Sequence, residues 1–147
     1  MASDTSFQHT YSIKGGDFIN AGESSCEVRN TLKNLGIEPN IVRRVAIASY
    51  EAEMNVVMYA NEGTMRFMVT PREIRIIVRD SGQGIPNIKR AMQPGFSTAT
   101  KEMREMGFGA GMGLPNIKKN ADVFTISSTK GKGTVLEITI FLNNHHE

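Results

Sequence analysis

Between Arg79 and Leu114 the chain runs from one glycine cluster to another, Asp80-Ser81-Gly82-Gln83-Gly84 and Gly107-Phe108-Gly109-Ala110-Gly111-Met112-Gly113. An apolar run, Ile74-Arg75-Ile76-Ile77-Val78, enters the first, and Leu114-Pro115-Asn116-Ile117-Lys118-Lys119 leaves the second with helical character. The residues between are polar and small, unsuited to a core. The pattern predicts a strand that ends in an acidic glycine turn, then a mobile loop, then a helix starting behind glycines. Glycines at a helix N-terminus free successive backbone N–H groups, and both these donors and the helix dipole favour an anion there. The layout is that of a nucleotide pocket with a lid.

Spacing excludes the common glycine motifs. No Gly-Lys-Ser/Thr follows four free residues, so a Walker loop is absent. A dinucleotide fingerprint would need glycine where Met112, Leu114 or Asn116 stands, depending on whether it starts at Gly107, Gly109 or Gly111. The kinase glycine loop shares that spacing and fails with it. A flexible linker is the bland alternative, but alternating glycines flanked by Phe108 and Leu114 are poor linker chemistry.

The 147 residues suit one domain, 1–147, with a core of its own. A net charge of +2, with 17 basic residues spread without a run, disfavours a nucleic-acid partner. Cys26 is the only cysteine, which rules out an internal disulfide or a cysteine-based zinc site and suits a reducing compartment. No stretch approaches the ~20 apolar residues of a membrane span, and Met1 to Gln8 lack signal-peptide character, so a cytoplasmic location is expected. His9, His145 and His146 carry no metal-ligand spacing.

Taken in order, Thr5 to Lys14 reads as a strand with Phe7, Tyr11 and Ile13 on one side. Asp17 is expected to cap a helix whose apolar stripe, Phe18, Ala21, Ser25, Val28, Leu32 and Leu35, faces a sheet until Gly36 stops it. Pro39 opens a second helix running to about Ala60. On it Glu51 and Asn55, four residues apart, share a face with Ala48, as a surface pair or as a site. Strands over Thr64 to Val69 and Ile74 to Val78 flank a proline turn, Asn87 to Met92 makes a short helix, and a lid spans about 93–113. A helix from Leu114 to about Ala121 precedes a hairpin of Val123 to Ser128 and Thr134 to Leu142. The sum is a two-layer α/β sandwich: about five strands, mostly antiparallel or mixed, covered on one face by three helices.

The motif order, Glu51-x-x-x-Asn55 on a helix, Asp80-x-Gly82-x-Gly84 after a strand, glycines from Gly107 to Gly113, and Gly131-x-Gly133-Thr134 in a closing hairpin, resembles the GHKL (Bergerat-fold) ATPase/kinase superfamily. The resemblance covers roughly residues 7 to 142. Within it, Gln93-Pro94-Gly95-Phe96-Ser97-Thr98 and Gly109-Ala110-Gly111-Met112-Gly113-Leu114-Pro115 look most like the anti-sigma and switch serine kinases of the RsbW, SpoIIAB and RsbT type. Tyr59 stands where sigma-binding members often have histidine, which sets a switch kinase acting on another regulator beside direct sigma binding.

The resemblance implies ATP and Mg²⁺ as cofactors and a role for each motif residue. Asp80 would accept from the adenine amino group, Gly82 and Gly84 would let the backbone approach the base, and Thr134 would reach adenine directly or through water. Asn55 would offer its amide oxygen to Mg²⁺. Gly107, Gly109, Gly111, Gly113 and Leu114 would hold phosphates on backbone N–H groups. Glu51 would be the general base, a role not given to Glu53, which faces elsewhere on the helix. Arg104 would stabilise charge on the transferred phosphoryl group, or simply pair with Glu102 or Glu105.

A serine/threonine protein kinase acting on a STAS-domain, anti-anti-sigma-like partner is therefore the leading expectation, with a sigma factor or a PP2C-type phosphatase as further candidate partners and a homodimer left open. A nucleotide-gated binding module with little transfer activity is the alternative. A histidine-kinase catalytic domain fits less well, because His9 lies in a strand-like segment.

Overall fold

The computed structural model describes residues 7–85, 87–95 and 112–142. The described part of the chain runs β1 (Phe7–Lys14), α1 (Glu23–Asn34), α2 (Pro39–Tyr59), β2 (Glu62–Val69), β3 (Glu73–Asp80), α3 (Ile88–Ala91), α4 (Gly113–Asn120), β4 (Val123–Thr129) and β5 (Gly133–Phe141). The five strands form one sheet in the order β1-β2-β3-β5-β4. Every neighbouring pair is antiparallel, which resolves the open choice between an antiparallel and a mixed sheet.

Alternation on the strands sets the register. Met65, Val78 and Leu136 align across the sheet, as do Phe67, Ile76 and Ile138, and Val69, Ile74 and Ile140. All nine side chains are buried. A slip of one residue would turn these three rows outward, where the exposed Arg66 and Arg79 stand, so burial specifies the pairing.

The helices cover the apolar face. Pro39 starts α2, and the Glu38 side chain caps it by accepting from Asn40 N at 2.8 Å. α2 packs against both α1 and α4 as well as the sheet. Its Ala48 and Ala52 are fully buried, and their small side chains let the neighbouring elements come close.

α1 departs from expectation at its start. It begins at Glu23, not behind Asp17, and has Gly22 at its N-cap with no side-chain cap of its own. Asp17 instead holds a separate turn, accepting from Asn20 N at 3.2 Å and Asn20 Nδ2 at 2.9 Å. Phe18 and Ala21 still pack on the core from this loop. At the other end Gly36 takes a left-handed φ of 75°, and Ile37 N donates back to Leu32 O at 3.1 Å. Leu35, expected on the buried stripe, is exposed, because the helix has already ended at Asn34.

Candidate functional site

The candidate residues fall into two groups, one where β3 meets β5 and one where α2 meets α4. β3 ends at Asp80, whose Oδ1 accepts from Gly82 N at 2.8 Å and from Thr134 N at 3.2 Å. The first bond makes an Asx turn, the acidic glycine turn read from the sequence. The second ties β3 to β5, so Asp80 and Thr134 stand side by side although 54 residues separate them. Asp80 Oδ2 takes no hydrogen bond from the described residues, and the half-buried carboxylate thus keeps one acceptor to offer.

Thr134 is 3% exposed, and its Oγ1 lies 3.0 Å from Ser128 Oγ. Ser128 also accepts from Ile85 N at 2.6 Å. Its hydroxyl therefore joins the closing hairpin to the segment just past the glycine turn. Sequence reasoning missed Ser128, since a serine in a strand carries no pattern of its own.

The two glycines of the turn lie tight against the chain's own backbone. A Cβ at Gly82 would lie 2.9 Å from Tyr59 O, at the end of α2. One at Gly84, whose φ is +83°, would lie 2.6 Å from Thr129 O. The close approach that demands glycine is therefore to the chain's own backbone, where β3 leaves the sheet between α2 and the β4–β5 turn. Gly131 N donates to Gln83 O at 2.7 Å and closes the same junction.

α2 carries the second group. Glu51 and Asn55 are both half-buried, one helical turn apart. Asn116 Nδ2 donates to Glu51 Oε2 at 3.0 Å, and a Cβ on Gly113 would lie 3.5 Å from Glu51 Oε1. The carboxylate thus sits beside the N-terminus of α4, the helix end best suited to bind an anion. Leu114 is 7% exposed and belongs to the core. Its side chain packs inward, so any ligand contact from this residue would come from its backbone. Gly107, Gly109, Gly111 and Arg104 lie outside the described residues, as does most of the lid.

Glu53, set aside in the sequence reading, has a structural task. It is buried, and its carboxylate accepts from Gly22 N at 3.0 Å, Ser24 N at 3.3 Å and Ser25 N at 2.9 Å. One side chain from α2 thus supplies the N-terminal cap that α1 lacks. Tyr50, beside it, has its phenol raised above the usual value by burial and then by the nearby Glu51 and Glu53 carboxylates.

An open hollow of about 420 Å³ lies between the end of α2 and the turn after β3, lined by residues including Tyr59, Gly82, Gln83 and Gly131. It contains neither Glu51 nor Asp80, so the candidate site is identified by its functional groups. Among the described residues no helix is long and apolar enough to cross a membrane.

Known proteins resemble this arrangement along most of the chain. Residues 23–140 match the model of the histidine kinase-like ATPase domain. An anti-sigma F factor from Caldanaerobacter subterraneus subsp. tengcongensis is 32% identical over 117 residues, covering 74% of this chain and 78% of that protein. The serine/threonine-protein kinase RsbT of Bacillus subtilis is 34% identical over 113 residues, covering 74% and 79%. The fold aligns with a chain of the SiaB-SiaC complex from Pseudomonas aeruginosa at a TM-score of 0.62 and 15% identity, over 93% of this chain and 90% of that one. It also aligns with the RsbU and RsbW domains of a Mycobacterium tuberculosis protein at a TM-score of 0.60 and 16% identity, over 91% of this chain but only 32% of that longer one. At such identities the structural matches speak for the fold alone. The family match, together with relatives above 30% identity over some three quarters of the chain, establishes that this chain belongs to the histidine kinase-like ATPase domain family, the GHKL group its motif order resembles.

Proposed function

We propose that this domain transfers a phosphoryl group from ATP to a serine or threonine hydroxyl of a small regulatory protein of the STAS-domain, anti-anti-sigma-like class. The observation that carries the reading is the place of Glu51: a carboxylate on a packed helix, beside the N-terminus of α4. A base next to an anion-binding helix end suits phosphoryl transfer, in which positioning and electrostatics do most of the catalysis. The family membership and the kinase RsbT among the relatives support it.

The donor set fits a bound Mg-ATP. Asp80 Oδ2 is an acceptor for the amino group of adenine, which guanine lacks at that position. The buried Thr134 is bonded to the same carboxylate through its N–H. Asn55 offers an amide oxygen one turn from Glu51, and the backbone of Gly113 and Leu114 opens α4. ATP would supply the phosphoryl group, and Mg²⁺ would neutralise charge on the phosphates. Glu51 takes the proton of the attacking hydroxyl as the new O–P bond forms and the bond to ADP breaks. Gly107, Gly109 and Gly111 would extend the phosphate cradle, and Arg104 would add a cation near the transferred group.

The test is intact-mass analysis of a STAS-domain protein encoded beside this chain, after incubation with the chain and Mg-ATP. A mass gain of one phosphoryl group is expected. In the Glu51→Ala variant the rate should fall ~10²–10⁴-fold while calorimetry still detects ATP binding. Undiminished transfer by that variant would overturn the assignment of the base. A second reading, a nucleotide-gated binding module, draws on relatives named anti-sigma F factor. Under it, ATP binds and the partner gains no mass.

A further inference from the structure

Glu51 does not hold its position alone. Asn116, on the first turn of α4, donates from Nδ2 to Glu51 Oε2 at 3.0 Å, and both residues are half-buried. Asn116 is itself fixed within the helix. Its N–H donates to Met112 O at 2.8 Å, and its carbonyl accepts from Asn120 Nδ2 at 2.8 Å. The buried Leu114 and Ile117 flank it in the sequence. The far end of α4 is tied to α2 as well, because Arg44 Nε donates to Asn120 O at 3.0 Å and its Nη2 meets Asp122 Oδ1 at 3.1 Å. Asn116 is therefore a donor on a helix pinned at both ends to the helix that carries Glu51.

We propose that Asn116 is the positioning residue for the base: it engages Oε2, so that Oε1, on the Gly113 side, is the oxygen that receives the proton. The proposal rests on the reading of Glu51 as the base. A glutamate side chain has three torsions, and a base works only when its acceptor lies within hydrogen-bond reach of the proton it takes. A third group that orients the base is a recurring solution. The amide suits this task because it donates without titrating, so it fixes the carboxylate without competing for the transferred proton. The same bond sets the base's place relative to the N-terminus of α4, through two packed helices.

The experiment uses the full chain with Mg-ATP and water as acceptor, so that no partner need be known. Single-turnover hydrolysis and calorimetric ATP affinity are measured for the wild type, Glu51→Gln, Asn116→Leu and Asn116→Asp. Asn116→Leu keeps the side-chain size and removes the donor. Its rate should fall about tenfold or more with ATP affinity unchanged, the mark of a contact that serves only the transition state.

Asn116→Asp gives a readout that a merely structural role would not move. When protonated, the introduced carboxyl can donate to Glu51; when ionised, it repels it. The nearby carboxylate holds that proton to a pH above the ordinary ~3.9. The rate should therefore approach the wild-type value at the acid end and fall away towards neutrality, a limb absent from the wild-type profile. A wild-type rate for Asn116→Leu, or a pH profile for Asn116→Asp parallel to that of the wild type, would overturn the proposal while leaving Glu51 in place. An unimpaired Glu51→Gln would remove the base and the proposal together, and a wild type that binds no ATP would remove the functional reading beneath both.

Discussion

At Ser128 one hydroxyl joins three stretches of chain. It accepts from Ile85 N at 2.6 Å, lies 3.0 Å from Thr134 Oγ1 and reaches Gly133 O at 3.4 Å. With Ile85 N as donor, the single Ser128 proton is left for the Gly133 carbonyl or for Thr134. When it goes to Thr134, the Thr134 proton is free to point at a ligand. Ser128→Ala should leave Ile85 N unpaired, a loss of about 1–3 kcal/mol of stability, and the Thr134 hydroxyl unguided, which should weaken ATP binding about fivefold or more by calorimetry. Unchanged affinity would show that the nucleotide does not depend on this corner. Asp80 and Thr134 were legible because a turn motif and a closing hairpin mark them at fixed offsets. Ser128 and Asn116 were not, because they act through partners 43 and 65 residues away, and isolated polar residues in a strand and a helix carry no local signal for such pairs.

Among the elements, α1 starts later than its local sequence signals. Asp17 followed by an apolar rhythm satisfies the local signature of a capped helix, yet the segment up to Gly22 forms a separate turn. The competing cap lies on α2, where Glu53 collects three backbone N–H groups from the first turn of α1 and the residue before it. A remote cap leaves no trace in the local sequence, so the local signature starts the helix too early. Glu53→Ala should lower stability by about 1–3 kcal/mol, read as a lower urea midpoint, and Glu53→Gln should lose less because its amide oxygen still accepts. Equal stability in all three proteins would mean that water caps α1 as well as the carboxylate does. α2 and the β4–β5 hairpin were read almost to the residue, since Pro39 and the glycine turn are strong local stops.

For the molecule as a whole, the three apolar rows across β2, β3 and β5 made the sandwich readable, because alternation leaves only one face that can be buried. Its pH response was not readable, for it depends on what packs beside each phenol. Tyr50 is raised by burial and by Glu51 and Glu53, and Tyr11 by burial and by Glu27, against a lowering hydrogen bond from Thr31. A phenol raised in the folded state contributes stability that is fully present below its unfolded value, ~10, and is lost as pH rises through the folded value. Denaturation midpoints should therefore fall above about pH 10, and less steeply in a Tyr50→Phe variant. The difference will be modest, since Tyr50 is 38% exposed and water screens it. Identical alkaline slopes for both proteins would show that its phenol is not coupled to folding.

The strand order has a consequence in time. β5 inserts between β3 and β4, so the middle of the sheet stays open until the last described strand arrives. A chain growing from its N-terminus can pair β1, β2 and β3 and still present the apolar edge of β3 to the cell, a contact of long sequence range that folds slowly and invites aggregation. Asp80 meets its Thr134 partner in that same late pairing. The proposed nucleotide site and the core are therefore completed by one event, and a bound nucleotide would report that the chain has finished folding.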